Sequence, residues 1–387
     1  MSQSFDDIVL TTPVSFGYER YSEHDATWFA AGTLRQMLAD SGLKKHDVDG
    51  LAIASFSLAP DTPPSLVESL GLELCWLEQL CFGGASGVIA AKRAARAIQA
   101  GDAEIIACIG ADTLARGDFA NLVANFSNAT QDASYPYGAA GPNLAFALMT
   151  SAYMQAYDLE REDFAPICVS QRHNANANPM ALFHDKSLTT EDYVNAKAVV
   201  EPLHLYDCVM PCAGAEGFFV MTADRAKQLG LPSCRLLAAE ERFNVLADDP
   251  VQLRGGWSLF ADALYNTAGR GPADIDVMQT YDDYPVIVMQ QLEGFGFCAQ
   301  GEAKTFVADT DLRFDGDGLP HNTGGGQLSG GQAGAAGGLL GIVEGIRQVC
   351  GLAGERQVTS ASNALIGGYG MVNYDRCVCS SGAILHR

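Results

Sequence analysis

The sequence predicts an α/β fold made of two similar halves, and three observations carry that expectation. A glycine-rich turn, an apolar helix and a short apolar strand ending in glycine occur twice in that order. A further pair of matching segments sits upstream of each copy. The chain has 387 residues, 48% of them apolar, enough to bury a large core in two domains or one pseudo-symmetric unit.

In chain order, the first upstream segment is Leu38-Ala39-Asp40-Ser41-Gly42, followed by Asp47-Val48-Asp49 and the apolar run Leu51 to Ser55. The first glycine turn, Cys81-Phe82-Gly83-Gly84-Ala85-Ser86-Gly87, opens a helix over Val88 to Ala100 and leads to a strand over Ile105 to Gly110. From about Arg116 to Tyr206 the rhythm lapses into polar and aromatic stretches such as Tyr135-Pro136-Tyr137-Gly138-Ala139-Ala140-Gly141-Pro142-Asn143. That region reads as an insertion on the first half. Within it, apolar spacing predicts a helix over Leu144 to Tyr157 and another over Glu160 to Asn178, ended by Asn174, Asn176 and Asn178 ahead of Pro179.

The second half begins near Ser233, with a strand over Cys234 to Ala239. Leu264 to Gly269 and Asp274-Ile275-Asp276 then precede Val277 to Tyr281, matching the upstream segments of the first half. Gly316 to Gly338 is too rich in glycine for one long element and is expected to be an active-site loop. The second glycine turn, Gly334-Ala335-Ala336-Gly337-Gly338, leads through a helix over Leu339 to Val349 into a strand over Ala364 to Gly368. The expected division is therefore residues 1–232, with the insertion at about 116–206, and residues 233–387. Glycines at the head of a buried helix let backbones approach closely, and the helix N-terminus there favours a thiolate, carboxylate or oxyanion. A site between the halves is expected.

Composition narrows the function classes. A net charge of -22 argues against non-specific nucleic-acid or anionic-membrane binding, and it disfavours an anionic ligand at long range. No stretch is long and apolar enough to span a membrane, and Met1 to Asp7 lacks the pattern of a signal peptide, so the cytoplasm is the expected compartment. The eleven cysteines are then expected to be reduced, and none of their spacings forms a CxxC pair or a zinc signature, so no metal is expected.

Gly84-Ala85-Ser86-Gly87 at the head of a helix is joined by Tyr206-Asp207-Cys208, Tyr281-Asp282-Asp283-Tyr284, Asn322-Thr323-Gly324-Gly325-Gly326 and Gly367-Gly368-Tyr369-Gly370. In order and spacing these segments resemble the thiolase superfamily over nearly the whole chain. The likeness is strongest to its sterol-carrier-protein-type thiolases and to the thiolase-like aldolases that cleave steroid side-chain acyl-CoA thioesters. The resemblance implies a five-layered αβαβα fold from two pseudo-repeated halves, a homodimer, and coenzyme A as the substrate thioester. It also implies, in the aldolases, a small OB-fold and zinc-ribbon acyl-CoA-binding partner subunit.

Carried over residue by residue, the four thiolase catalytic positions all differ. Gly84 stands where the nucleophilic cysteine should be, Tyr281 at the oxyanion-hole position, Gln332 at the histidine of the Gly-His-Pro motif, and Leu365 at the second cysteine. A glycine cannot form an acyl-enzyme, so the sequence departs from thiolases in the direction the aldolases take.

The remaining polar groups suit a retro-aldol or retro-Claisen cleavage, which needs a base and donors that stabilise a thioester enolate. Tyr281 is the candidate acid/base, with Asp282 or Asp283 as its partner, and Gln332 and Asn322 are neutral donors. His321 is a candidate base; Gly84, Ser86, Gly325, Gly326 and Tyr369 are candidate substrate-binding residues, and Tyr374 a further pocket residue. Each also has a structural reading: Tyr281 as an aromatic at a strand end, Asp282 as a helix cap, Gln332 as a partner of loop backbone, His321 as a loop histidine. Cys81, near a helix N-terminus and three residues before Gly84, is the alternative nucleophile, with Cys377 and Cys379 behind it. Three functions stand open: a thiolase-like carbon-carbon lyase, an acyltransferase using Cys81, and a non-catalytic scaffold subunit.

Overall fold

The computed structural model describes residues 4–59, 62–124, 135–138, 141–373 and 375–387. Ala139, Ala140 and Tyr374, named above, lie outside the described residues. Its strands are β1 (Ile8–Glu19), β2 (Gly50–Ala54), β3 (Trp76–Leu80), β4 (Ile106–Asp112), β5 (Ala198–Val200), β6 (Leu203–His204), β7 (Ala213–Thr222), β8 (Ser233–Phe243), β9 (Val277–Gln279), β10 (Asn363–Asn373) and β11 (Arg376–His386). The longer helices are α1 (Ala26–Ser41), α2 (Ser86–Ala100), α3 (Asn143–Tyr157), α4 (Ala165–Asn176), α5 (Trp257–Ala268), α6 (Pro285–Gly294) and α7 (Gly337–Cys350).

Nine strands form one sheet in the order β3-β2-β4-β7-β1-β8-β11-β10-β9, while β5 and β6 pair separately. The sheet has a seam where β1 meets β8 antiparallel, Leu10 opposite Cys234. Outward from that seam, each side runs through its first strand, its last, its penultimate and its second, so the two sides repeat one topology. On the far side of β2 lies β3, parallel to it. In the equivalent place beside β9 there is a single parallel bridge from Met278 to His321.

Strand periodicity explains the layers. In β4, Ala107 and Ile109 face one way, into a core with Phe29, Leu34 and Met37 of α1, while Ile106 and Cys108 face the other, into a core with Val88 and Ile89 of α2 and Leu339 and Ile342 of α7. In β10, Ala364 and Ile366 join that same middle core, whereas Leu365 faces Trp257 and Phe260 of α5. The middle helices thus touch both sides of the folded sheet, and outer helices cover its other faces. This is the five-layered arrangement expected.

Glycine is required where the middle helices cross. A Cβ on Gly87 would stand 2.3 Å from the Gly338 carbonyl oxygen, and one on Gly338 would stand 2.3 Å from the Gly83 carbonyl oxygen. Backbone meets backbone there, so any side chain would have to push the two helices apart.

The elements differ from the sequence reading mainly at their ends. The segment Val277 to Tyr281 is strand only as far as Gln279, although the Tyr281 amide still bonds to Gly367 of β10. The helix expected over Glu160 to Asn178 is a short 3-10 turn, Arg161–Phe164, followed by α4. Gly316 to Gly338 is largely buried rather than open loop, and it holds a short helix, Gly326–Gly330.

Buried charge makes the fold sensitive to pH. Glu216 of β7 is 1% exposed, with the Ser15 hydroxyl 2.8 and 2.7 Å from its two oxygens. Burial pushes its carboxyl up to about 7, against the pull of Arg347. A folded-state value above the unfolded one means the native state holds the extra proton, so this group's contribution is lost as pH rises from about 4.5 through about 7. Glu216→Gln is therefore expected to stabilise the protein by about 1–3 kcal/mol at pH 8 and by little at pH 5, read by denaturant titration at both values.

Candidate active site

The site forms where the head of α2 meets the segment following β9. Phe82 leads into a tight turn over Gly83–Ala85, and Gly83 takes a φ of +49° that a side chain would strain. Gly84 is buried with its Cβ direction aimed at the ring of Tyr281: a Cβ there would lie 2.0 Å from the ring's Cε2. The aromatic ring therefore fills the volume that a side chain at position 84 would need.

Tyr281 is held firmly enough to do so. Its amide donates to the Gly367 carbonyl at 3.1 Å and lies 3.3 Å from Gln291 Oε1, while its carbonyl accepts from Gln291 Nε2 at 2.7 Å. Its ring runs parallel to that of Tyr369, 5° apart in plane with centroids separated by 6.2 Å. Around these rings is a small pocket of about 40 Å³, room for a water or two. Gly83, Gly84, Phe56, Phe146, Met371 and Val372 supply the walls, and Asp283 and Gln332 the remaining polar side chains.

The Asp283 carboxyl and the Gln332 amide both act on the phenol of Tyr281. Burial and then the Asp283 charge push the phenol well above its ordinary value, while the Gln332 amide opposes them. Burial also pushes the Asp283 carboxyl up to about 7, with the hydrogen bond from Tyr281 pulling the other way. Its Oδ1 has no hydrogen-bond partner and no contact with solvent. A carboxyl titrating near neutrality beside a phenol that stays protonated is an acid/base pair set for proton exchange.

Asp282, one residue earlier, takes a different task. Its oxygens accept from the Gln327 amide at 3.0 and 2.9 Å and from the Leu328 amide at 3.2 Å, so it caps the Gly326–Gly330 helix. Burial pushes its carboxyl up to about 6, with these donors and Asn322 holding it down. Gln332 Nε2 also donates to the Gly334 carbonyl at 3.3 Å.

Several other candidates lie outside the pocket lining. Asn322 accepts from the Thr280 amide at 2.9 Å. His321 is fully buried, its Nε2 2.7 Å from Thr280 Oγ1, and burial lowers its value to about 3, so it is neutral. Gly325 and Gly326 face Ala175 and Asp282, where a Cβ would stand 2.6 and 2.1 Å away. Ser86 is buried at the start of α2 with no hydrogen-bond partner for its hydroxyl. Cys81 is exposed and does not line the pocket, because Phe82 and the turn separate it from Gly84. Cys377 is buried, with its thiol pushed up to about 11 by that burial. Leu365, at the position carried over to the second thiolase cysteine, is buried in the outer core, and Tyr369, Met371 and Val372 reach the pocket from β10 instead.

Comparison with known proteins agrees with this fold. Residues 248–381 match the thiolase C-terminal domain-like family. The chain is 32% identical to a steroid side-chain-cleaving aldolase of Thermomonospora curvata over 81% of its own length and 83% of the relative's. It is also 32% identical to the 17-hydroxy-3-oxo-4-pregnene-20-carboxyl-CoA lyase of Mycobacterium tuberculosis, over 83% and 86%. Among solved structures, the Ltp2-ChsH2(DUF35) aldolase superposes with a TM-score of 0.82 at 28% identity, covering 98% of this chain and 97% of that one. The chain belongs to the thiolase superfamily, on its sterol-carrier-protein-type, aldolase-like side. It is an enzyme, a thiolase-like carbon-carbon lyase.

Proposed function

We propose that this lyase performs a retro-aldol cleavage of a β-hydroxyacyl-CoA thioester, with Tyr281 and Asp283 moving the proton. The observation that carries the proposal is the Tyr281 ring filling the side-chain space of position 84, in one pocket with a carboxyl poised near 7. The β-hydroxyl gives its proton to the Tyr281 oxygen as the phenol proton passes to Asp283. The bond between the α and β carbons breaks, its electron pair forming the thioester enolate and its β carbon becoming a carbonyl. The same relay run backwards protonates the α carbon, so the enzyme ends unchanged. Gln332 supplies a neutral donor beside the phenol and the enolate oxygen.

The names of the two 32% identical relatives support a thioester with a steroid-like β substituent, whose apolar surface would meet the aromatic side chains at the pocket. The net charge of -22 makes the coenzyme A phosphates poorly suited to this chain alone. The structural neighbour's name pairs its aldolase with a DUF35 protein, and a partner of that kind, with an OB-fold and zinc ribbon and carrying the thioester, answers that difficulty. A homodimer of chains divided at residues 232 and 233 into two halves completes the proposed assembly, in the cytoplasm.

The test incubates the chain, with and without a DUF35-class partner, with β-hydroxyacyl-CoA thioesters and follows release of ketone and shortened acyl-CoA. Ketone release without a protein adduct supports the proposal; an acyl adduct lost in Cys81→Ala overturns it in favour of transfer chemistry. The carboxyl's role gives a pH signature. Because Asp283 must be ionised to accept the proton, kcat is expected to rise as pH climbs through about 7. Asp283→Asn is expected to abolish that limb and lower kcat about 100-fold or more.

A further inference from the structure

We infer that Asp112, at the end of β4, is a positioning residue that fixes both Phe56 and Gln332 at the pocket; the inference rests on the lyase reading above. Its side chain is 3% exposed and its carboxylate gathers donors from both sides of the molecule. From the loop after β2 come the Ser55 hydroxyl at 3.0 Å, the Phe56 amide at 3.0 and 3.2 Å, the Ser57 amide at 2.8 Å, and the Ser57 hydroxyl. From the glycine turn ahead of α7 comes the Ala335 amide at 2.6 Å.

Both tethered segments carry pocket residues. Phe56 is itself one of the donors and its ring lines the pocket. Gln332 is anchored to the same glycine turn through the Gly334 carbonyl, and its amide flanks the Tyr281 phenol. Gly334 is what allows the approach: a Cβ there would stand 2.2 Å from Asp112 Oδ2. Burial raises the Asp112 carboxyl above its ordinary range, while its hydrogen bonds pull it back. A carboxylate with two acceptor oxygens joins all these donors at once; an amide of the same size cannot, because its nitrogen would face backbone N–H groups. Asp112 therefore acts on the phenol through Gln332 and not by touching substrate.

The experiment measures kcat, KM and the pH profile for wild type, Asp112→Asn, Gln332→Ala and the double variant, with melting curves for each. Displacing Gln332 is expected to lower kcat about 10–100-fold with KM within about threefold. The double variant is expected to lose no more than Gln332→Ala alone. Additive losses, or a change in KM that matches the loss in kcat, overturn the inference.

Hydrogen exchange keeps the lyase reading separate. If the wild type does not turn over, that reading fails by itself. The positioning role is then decided by whether Asp112→Asn speeds exchange in residues 55–58 and 332–336 together; protection retained in 332–336 overturns it. Should Asp112→Asn not fold, Gly334→Ala keeps the carboxylate's charge but sets a Cβ against it, parting the glycine turn from Asp112. It is expected to reproduce the kcat loss with KM little changed, and an unchanged kcat overturns the inference.

Discussion

Tyr281→Phe is expected to lower kcat for carbon-carbon cleavage by about 10²–10⁴-fold, the range for removal of a positioned acid/base group. The fold should survive, because the ring that packs against Tyr369 and fills the space above Gly84 is kept. What is lost is the hydroxyl beside Asp283 and Gln332, at a stability cost of about 1–3 kcal/mol for leaving a buried carboxyl short of a polar neighbour. Steady-state kinetics and calorimetry on the same preparation separate the two effects. A kcat within about threefold of wild type would falsify the relay and leave Asp283 to act directly on substrate.

Gly84→Cys is the second large effect, and it runs against the expectation that restoring a cysteine restores a thiolase. Any Cβ at position 84 must displace the Tyr281 ring, since 2.0 Å is far inside van der Waals contact. Lyase activity is expected to fall by about 100-fold or more, with about 1–3 kcal/mol of destabilisation from overpacking and no acyl-enzyme on intact-mass measurement. Gly84→Cys combined with Tyr281→Ala removes the clash and is expected to recover the lost stability. If the single variant keeps its lyase activity and stability, the ring does not fill that space in solution.

The duplicated glycine, helix and strand pattern was legible because its glycines sit where backbones touch, at Gly87 and Gly338, and because its apolar runs alternate between two cores. The β1 and β8 seam was not, since pairing between residues more than two hundred positions apart leaves no local signal. Within the site, Gly84, Tyr281, Gln332 and Tyr369 were read from motif positions and do meet in one pocket. Choosing between Asp282 and Asp283 was beyond the sequence: neighbouring carboxyls diverge, one onto the Gly326–Gly330 helix and the other onto the phenol. Asn322 and His321 carry polar chemistry in a suggestive motif, yet they belong to the edge beside β9. Phe146 reaches the pocket from α3 inside the insertion, and nothing local to that helix marks it. Asp112 left one faint trace, a carboxylate directly after the apolar strand Ile106-Ala107-Cys108-Ile109-Gly110-Ala111.

The two glycines at the head of α2 have opposite evolutionary freedom, although they lie within one helical turn. Gly87 points at the backbone of the facing helix, where every alternative residue forces the layers apart. Gly84 points at a ring contributed by the other half of the chain, so its neighbour can be exchanged without moving the helices. The scaffold thereby confines chemical change to a pair of residues that must be replaced together. A lineage crossing between a sulfur nucleophile and a tyrosine must pass either through an empty slot, with a small residue at both positions, or through a clash. The empty slot keeps the layers intact, which makes a folded but inactive ancestor the easier intermediate.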